Sequence, residues 1–297
     1  MRAKLEDLLA TGDVLIADGG MGTMLFAMGL SHGACLELWN VEKPESIRLV
    51  HKGYIDAGAQ IILSNSFGGT RLRLARHKVG ERTHELNRAA AELARAEADA
   101  ASEPVVVGGS IGPTGELMAP LGKLSFDDAK EVFREQAAAL IEGGVDVIWI
   151  ETMSDLAEVQ AAVEGTREVS ADIPIVTTMT FDTHGHTIMG ISPQKALEML
   201  CGFGPLAIGG NCGNGPDEIE VAIEKMHSAD QMTPLVAKAN AGIPRLVNGR
   251  SVHDATPEDM ARYAVKVHRL GARIIGACCG STPDHIRAIA EALHSSS

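Results

Sequence analysis

Ala272-Arg273-Ile274-Ile275-Gly276-Ala277-Cys278-Cys279-Gly280 opens on β-branched residues and ends on two adjacent cysteines and a glycine. The first part reads as a buried strand, so the Cys-Cys-Gly step sets two thiols at the end of that strand. Adjacent cysteines are poorly placed for a relaxed disulfide with each other, because a trans peptide does not offer the required Cα separation and torsion. They can share one ion. A third cysteine, Cys212, sits in a similarly open setting, Gly209-Gly210-Asn211-Cys212-Gly213. Three thiolates predict a zinc (Zn2+) centre, since catalytic zinc takes three protein ligands and keeps a fourth position for an exchangeable one.

The same grammar recurs along the whole chain: a short β-branched run, a Gly-rich or polar turn, then helical periodicity. Strands are expected at Val14 to Asp18, Ala59 to Asn65, Val105 to Ser110, Val145 to Glu151, Ile173 to Thr180, Leu206 to Asn211, Leu235 to Ala239 and Ala272 to Cys278. Between them the pattern predicts helices such as Arg82 to Ala101, Phe126 to Glu142, Leu156 to Val169 and Pro257 to Leu270, several opened by Pro or by Ser125, Thr256 or Thr282 as caps. Eight such repeats, with no low-complexity linker, predict a single-domain α/β protein over residues 1–297, a (β/α)8 TIM barrel. Asp18, Asn65, Ser66, Ser110, Glu151, Cys212, Asn240 and Cys278-Cys279 then all fall at or just past C-terminal strand ends, where such barrels keep their chemistry. A doubly wound open sheet is the alternative, but it would not bring the ends of strands 1, 4, 6 and 8 together.

Composition narrows the function classes. A formal charge of −13 and only two Trp and two Tyr argue against a nucleic-acid partner. The apolar runs are too short to span a bilayer, so no membrane association is expected. Five cysteines form no disulfide framework and the N-terminus has no signal-peptide pattern, which makes the cytoplasm the expected compartment.

Three thiolates around zinc leave the site net negative, which keeps electron density on an incoming sulfur. Zinc that hydrolyses amides or esters more often has His and carboxylate ligands. Alkylation of a substrate thiol is therefore the expected reaction. Cys35 and Cys201 lack the glycine context of the other three, and His184 and His186 read as solvated loop residues. The loop Gly112 to Gly122 combines glycine hinges with apolar residues and is a candidate cover for the site. A structural zinc in a non-catalytic docking module is a separate possibility, but such sites are usually closed by four protein ligands.

Asp18-Gly19-Gly20-Met21-Gly22-Thr23, Ser64-Asn65-Ser66-Phe67-Gly68, Ile111-Gly112-Pro113, Ile150-Glu151-Thr152, Gly210-Asn211-Cys212 and Gly276-Ala277-Cys278-Cys279-Gly280-Ser281-Thr282-Pro283 resemble, in order, the homocysteine S-methyltransferases. That family includes the homocysteine module of cobalamin-dependent methionine synthase and the betaine-homocysteine methyltransferases. The resemblance implies that Cys212, Cys278 and Cys279 hold zinc and that the sulfur of L-homocysteine takes the fourth place. It also implies Asn240 as a fourth ligand in the absence of substrate. Asp18, Gly19, Gly20, Ser66 and Glu151 are implied as the residues that hold the amino-acid end of the substrate, consistent with carboxylates for its ammonium and backbone amides for its carboxylate.

The sequence says less about the methyl donor. Thr152 stands where the betaine-using relatives place a tyrosine, and Trp39 does not align with their betaine-stacking tryptophan, so an aromatic cage for a quaternary ammonium is not expected. The chain ends about where the homocysteine module of methionine synthase ends. The expectation is a stand-alone homocysteine methylase served by a separate methyl-corrinoid protein. S-methylmethionine, adenosylmethionine or betaine is the alternative donor.

Overall fold

The computed structural model describes residues 2–247 and 250–295. Eight parallel strands form one sheet: β1 (Leu15–Ile16), β2 (Ile61–Leu63), β3 (Val106–Ile111), β4 (Val147–Met153), β5 (Ile175–Met179), β6 (Ala207–Cys212), β7 (Leu235–Ala239) and β8 (Ala272–Ala277). Each strand pairs with its sequence neighbour, and β8 pairs with β1. The ring closes between β1 and β2, where Ala17 pairs with Ile61 and the Gln60 N–H donates to the Ile16 carbonyl at 2.8 Å. This is the expected (β/α)8 barrel.

Alternation of side chains along parallel strands explains what fills it. Leu15, Ala17, Ile61, Leu63, Val106, Val147, Trp149, Val176, Ala207, Val236 and Ile274 make one buried cluster, the barrel lumen. Ala3 and Leu5 join that cluster, so the N-terminal helix Leu5–Ala10 plugs one end. The larger apolar cluster lies between the strands and the helices. The lumen becomes polar toward the other end: two residues on from Trp149 stands Glu151, and two on from Val236 stands Lys238, both buried.

The helices begin as their caps predict. The Ser125 hydroxyl accepts the Asp128 N–H at 3.1 Å, and Thr256 forms a reciprocal capping box with Asp259. Strand limits differ from the sequence expectation in ways that matter. β1 is only two residues long, and β4 runs two residues past Glu151, with a register shift between Ile150 and Met153. Thr152, at φ +61°, sits in that irregularity. A short antiparallel pair, Arg245–Val247 with Arg250–Val252, is inserted in the loop after β7 and interrupts no barrel strand.

Candidate metal and substrate site

Glycines at the strand ends allow the backbones to approach closely. A Cβ on Gly209 would run into the backbone of Val236, and one on Gly276 would lie 2.8 Å from the Ala17 carbonyl oxygen. β6, β7, β8 and β1 are thereby drawn together at the mouth. Cys212 ends β6 at φ +61°, a left-handed conformation that costs a non-glycine residue on the order of 1 kcal/mol, and Gly213 continues the turn at φ +70°. Cys278 follows β8 directly, its N–H held by the Ala239 carbonyl at 2.8 Å.

The result is a cluster of three thiols. The sulfur atoms of Cys212, Cys278 and Cys279 all lie within 4.8 Å of one another, and the Cys212 and Cys278 sulfurs are 2.9 Å apart. That is well beyond the ~2.05 Å of a disulfide. The donor set, its convergence and the unbonded sulfurs suit a soft metal ion. Cys35 is not one of the cluster: it is buried beside Glu37, and burial together with that carboxylate pushes its thiol up to about 12.

The cluster forms one wall of a cavity of about 460 Å³. Asp18, Gly19, Gly20 and Glu151 line it with the three cysteines. Glu151 is buried at 7% exposure, and its Oε1 accepts the Ser110 hydroxyl at 2.5 Å. Burial pushes its carboxyl up to about 7, with Lys238 opposing and Cys278 adding to the rise. A substrate ammonium beside it would favour the charged form. Asp18 is already engaged on both oxygens, Oδ1 by the Lys238 ammonium at 2.6 Å and Oδ2 by the Leu63 N–H at 2.7 Å.

Four of the expected residues take part in the framework. The Gly20 N–H donates to the Ser281 hydroxyl at 2.9 Å, and that hydroxyl donates in turn to the Cys278 carbonyl at 2.7 Å. Gly19 must be glycine for a related reason, because a Cβ there would meet the Ser281 hydroxyl and the Tyr54 ring. Ser66 is fully buried and lies off the cavity, its hydroxyl on the Ser110 carbonyl at 2.8 Å and its N–H on the Ser64 carbonyl at 2.8 Å. The Asn240 side chain joins two metal-site loops: Nδ2 donates to the Gly213 carbonyl at 2.6 Å, and Oδ1 accepts the Cys279 N–H at 3.0 Å.

A profile of the homocysteine S-methyltransferase family matches residues 15–293. The chain belongs to this family. Its homocysteine S-methyltransferase relatives include the methionine synthases of Mycobacterium leprae and Mycobacterium tuberculosis, at 30% and 31% identity over 97% and 94% of the chain. The match covers only 25% and 24% of those proteins, so the chain spans about a quarter of their length. The homocysteine methyltransferase MmuM of Escherichia coli, solved in a metallated form, superposes with a TM-score of 0.80 at 28% identity, covering 97% of this chain and 99% of that one.

Several residues of this homocysteine S-methyltransferase site were not singled out in the sequence. Lys238 lines the cavity at 2% exposure, and its ammonium also stands 5.9 Å from the centroid of the Trp149 ring. Burial works against its charge, but Asp18 and Glu151 outweigh that and hold it above the ordinary lysine range. The alternation from Val236 could have placed Lys238 in the lumen. Asn211 is fully buried and makes three hydrogen bonds to two neighbours: its Oδ1 accepts the Thr152 N–H and the Thr178 hydroxyl, and its Nδ2 donates to the Thr152 hydroxyl at 2.7 Å. Glu37, which accepts the Gly68 N–H at 2.7 Å, and Arg73 line the outer part of the cavity. No local signal in the sequence marks them. Among the described residues, no helix is long and apolar enough to cross a membrane.

Proposed function

We propose that this chain transfers a methyl group to the thiolate of L-homocysteine to give methionine, with zinc held by Cys212, Cys278 and Cys279. The observation that carries this reading is the convergence of the three thiols on one wall of a cavity whose floor holds the buried charges Glu151 and Lys238. When bound, zinc supplies a lowered thiol pKa, so that a substrate sulfur is present as thiolate at neutral pH. Glu151 accepts the substrate ammonium, and Asn240 and Asn211 keep the loops that carry the ligands in register. The new carbon–sulfur bond forms from a sulfur lone pair as the bond between methyl and donor breaks, its electron pair leaving with the donor.

The donor in this proposal is a separate methyl-corrinoid protein docked at the cavity mouth, a reading supported by the resemblance to the homocysteine module of cobalamin-dependent methionine synthase. Its setting is the cytoplasm, where thiols stay reduced. A sulfonium donor is a second reading, and one observation favours it: the buried Glu37 carboxylate lines the outer part of the cavity, where it would attract a cation. Purified protein supplied with homocysteine and each donor in turn, with methionine as the readout, tests both. Methionine formed from S-methylmethionine alone excludes the corrinoid requirement. No methionine from any donor excludes the reaction.

A further inference from the structure

The resemblance offers two carboxylates, Asp18 and Glu151, for one substrate ammonium. We infer that Lys238 is a positioning residue that withdraws Asp18 from substrate binding and leaves Glu151 as the sole ammonium anchor. The inference rests on the homocysteine reading above and adds to it a residue that sets how the amino acid is read.

The argument begins with the strand. β7 places Lys238 on the lumen side, directly above Val236, and its ammonium reaches across the barrel to Asp18 at 2.6 Å. Both side chains are about as inaccessible as the hydrocarbon core, at 3% and 4% exposure. A buried charge of either sign is tolerated only when paired, so each holds the other in place. The second Asp18 oxygen is taken by the Leu63 N–H. Glu151 is bound differently. Its Oε1 accepts a neutral hydroxyl, and the Asn211 Nδ2 is 3.5 Å from Oε2, at the limit of hydrogen bonding. Its strong partners are thus neutral and few, and among the described residues no cation lies within 4.0 Å of it. Of the two carboxylates on the cavity floor, one has the Lys238 ammonium in direct contact and the other feels it only at longer range. An incoming ammonium gains most at the carboxylate that has no cation in contact.

Titration calorimetry of the zinc-loaded protein with L-homocysteine and with 4-mercaptobutanoate, the same thiol acid without the ammonium, reads the anchor directly. The ratio of the two dissociation constants is the preference for the ammonium. Glu151→Gln should lower that ratio roughly ten- to a hundredfold, the range of a charge-assisted hydrogen bond. The double variant Asp18→Asn/Lys238→Met removes the pair without a net charge change and should keep the ratio within about threefold. Lys238→Met alone frees Asp18 to compete for the ammonium and should raise the ratio. Circular dichroism and zinc content establish that each variant is folded, and if Lys238→Met does not fold, the double variant carries the test. A double variant that loses the preference as fully as Glu151→Gln makes Asp18 a second anchor and overturns the inference. A folded Lys238→Met with an unchanged or lower ratio also overturns it. A wild-type protein that binds homocysteine no better than 4-mercaptobutanoate removes the homocysteine reading itself, and the inference with it.

Discussion

The sulfur atoms of Cys212 and Cys278 stand 2.9 Å apart although they end strands separated by a full strand of the barrel. Neither thiol reaches the other by a chance side-chain rotation. The left-handed turn at Cys212 and the close packing at Gly209 and Gly276 bring them there. Three sulfurs held this close are repulsive as thiolates unless a cation sits among them.

Metal removal should therefore be reversible, and loss of a ligand should not be. Cys278→Ala and Cys279→Ala are expected to purify with less than about a tenth of the wild-type zinc, because two thiolates and water bind far more weakly than three thiolates. Elemental analysis reads this. Wild-type protein stripped by a chelator should regain full occupancy on adding zinc, and the two variants should not.

Asn240 contributes to metal affinity through the backbone. It accepts the Cys279 N–H and donates to the carbonyl of Gly213, the residue after Cys212. Asn240→Ala should weaken zinc binding by roughly 10- to 100-fold, the usual consequence of losing a group that orients ligands. Competition with a chromogenic chelator measures it. Unchanged affinity would mean the ligand loops are held by their other contacts.

Gly209 tests the packing that creates the site. An added methyl there meets the Val236 backbone, which cannot swing aside as a side chain would. Gly209→Ala should cost about 1–3 kcal/mol of stability and lower zinc affinity with it. Urea unfolding with and without zinc separates the two effects.

His51 should make the metal-free protein lose stability toward acid, against Glu151, whose raised carboxyl works in the opposite direction as pH falls from about 7 to 4.5. His51 is fully buried, both ring nitrogens lack a hydrogen-bond partner among the described residues, and burial holds its pKa down at about 4 against an ordinary 6.5. The unfolded chain takes up a proton near pH 6.5, and the folded chain does not until about pH 4. Stability associated with neutral His51 is thus fully present above pH 6.5 and declines as pH falls through that window, by about 3 kcal/mol in all. His51→Leu should shift the pH dependence of the urea midpoint between 6.5 and 4 toward greater stability in acid, and an unaltered slope would place the acid sensitivity in other groups.

The repeating strand and helix pattern was legible because burial on both faces of parallel strands writes apolar runs into the sequence, and helix caps punctuate them. The metal cluster was legible for a different reason. Cys-Cys-Gly and Asn-Cys-Gly pair a reactive side chain with an open backbone, a combination that core packing alone rarely requires. Ser66 and Asn240 mark the limit of what local pattern records. The sequence marks both as polar residues at strand ends, but their hydrogen-bond partners, the Ser110 carbonyl and the Gly213 and Cys279 backbone, come from other loops.

By itself the sequence determined the barrel, the three cysteines and the acidic positions Asp18 and Glu151, all of which depend on local pattern and residue chemistry. Only the tertiary structure decided how the charges are shared. Asp18 and Lys238 are 220 positions apart along the chain, and closure of the ring sets them 2.6 Å from each other in a water-poor lumen. A charge excluded from water must take the nearest partner. Which partner is nearest is a property of the closed barrel, and no stretch of the chain records it.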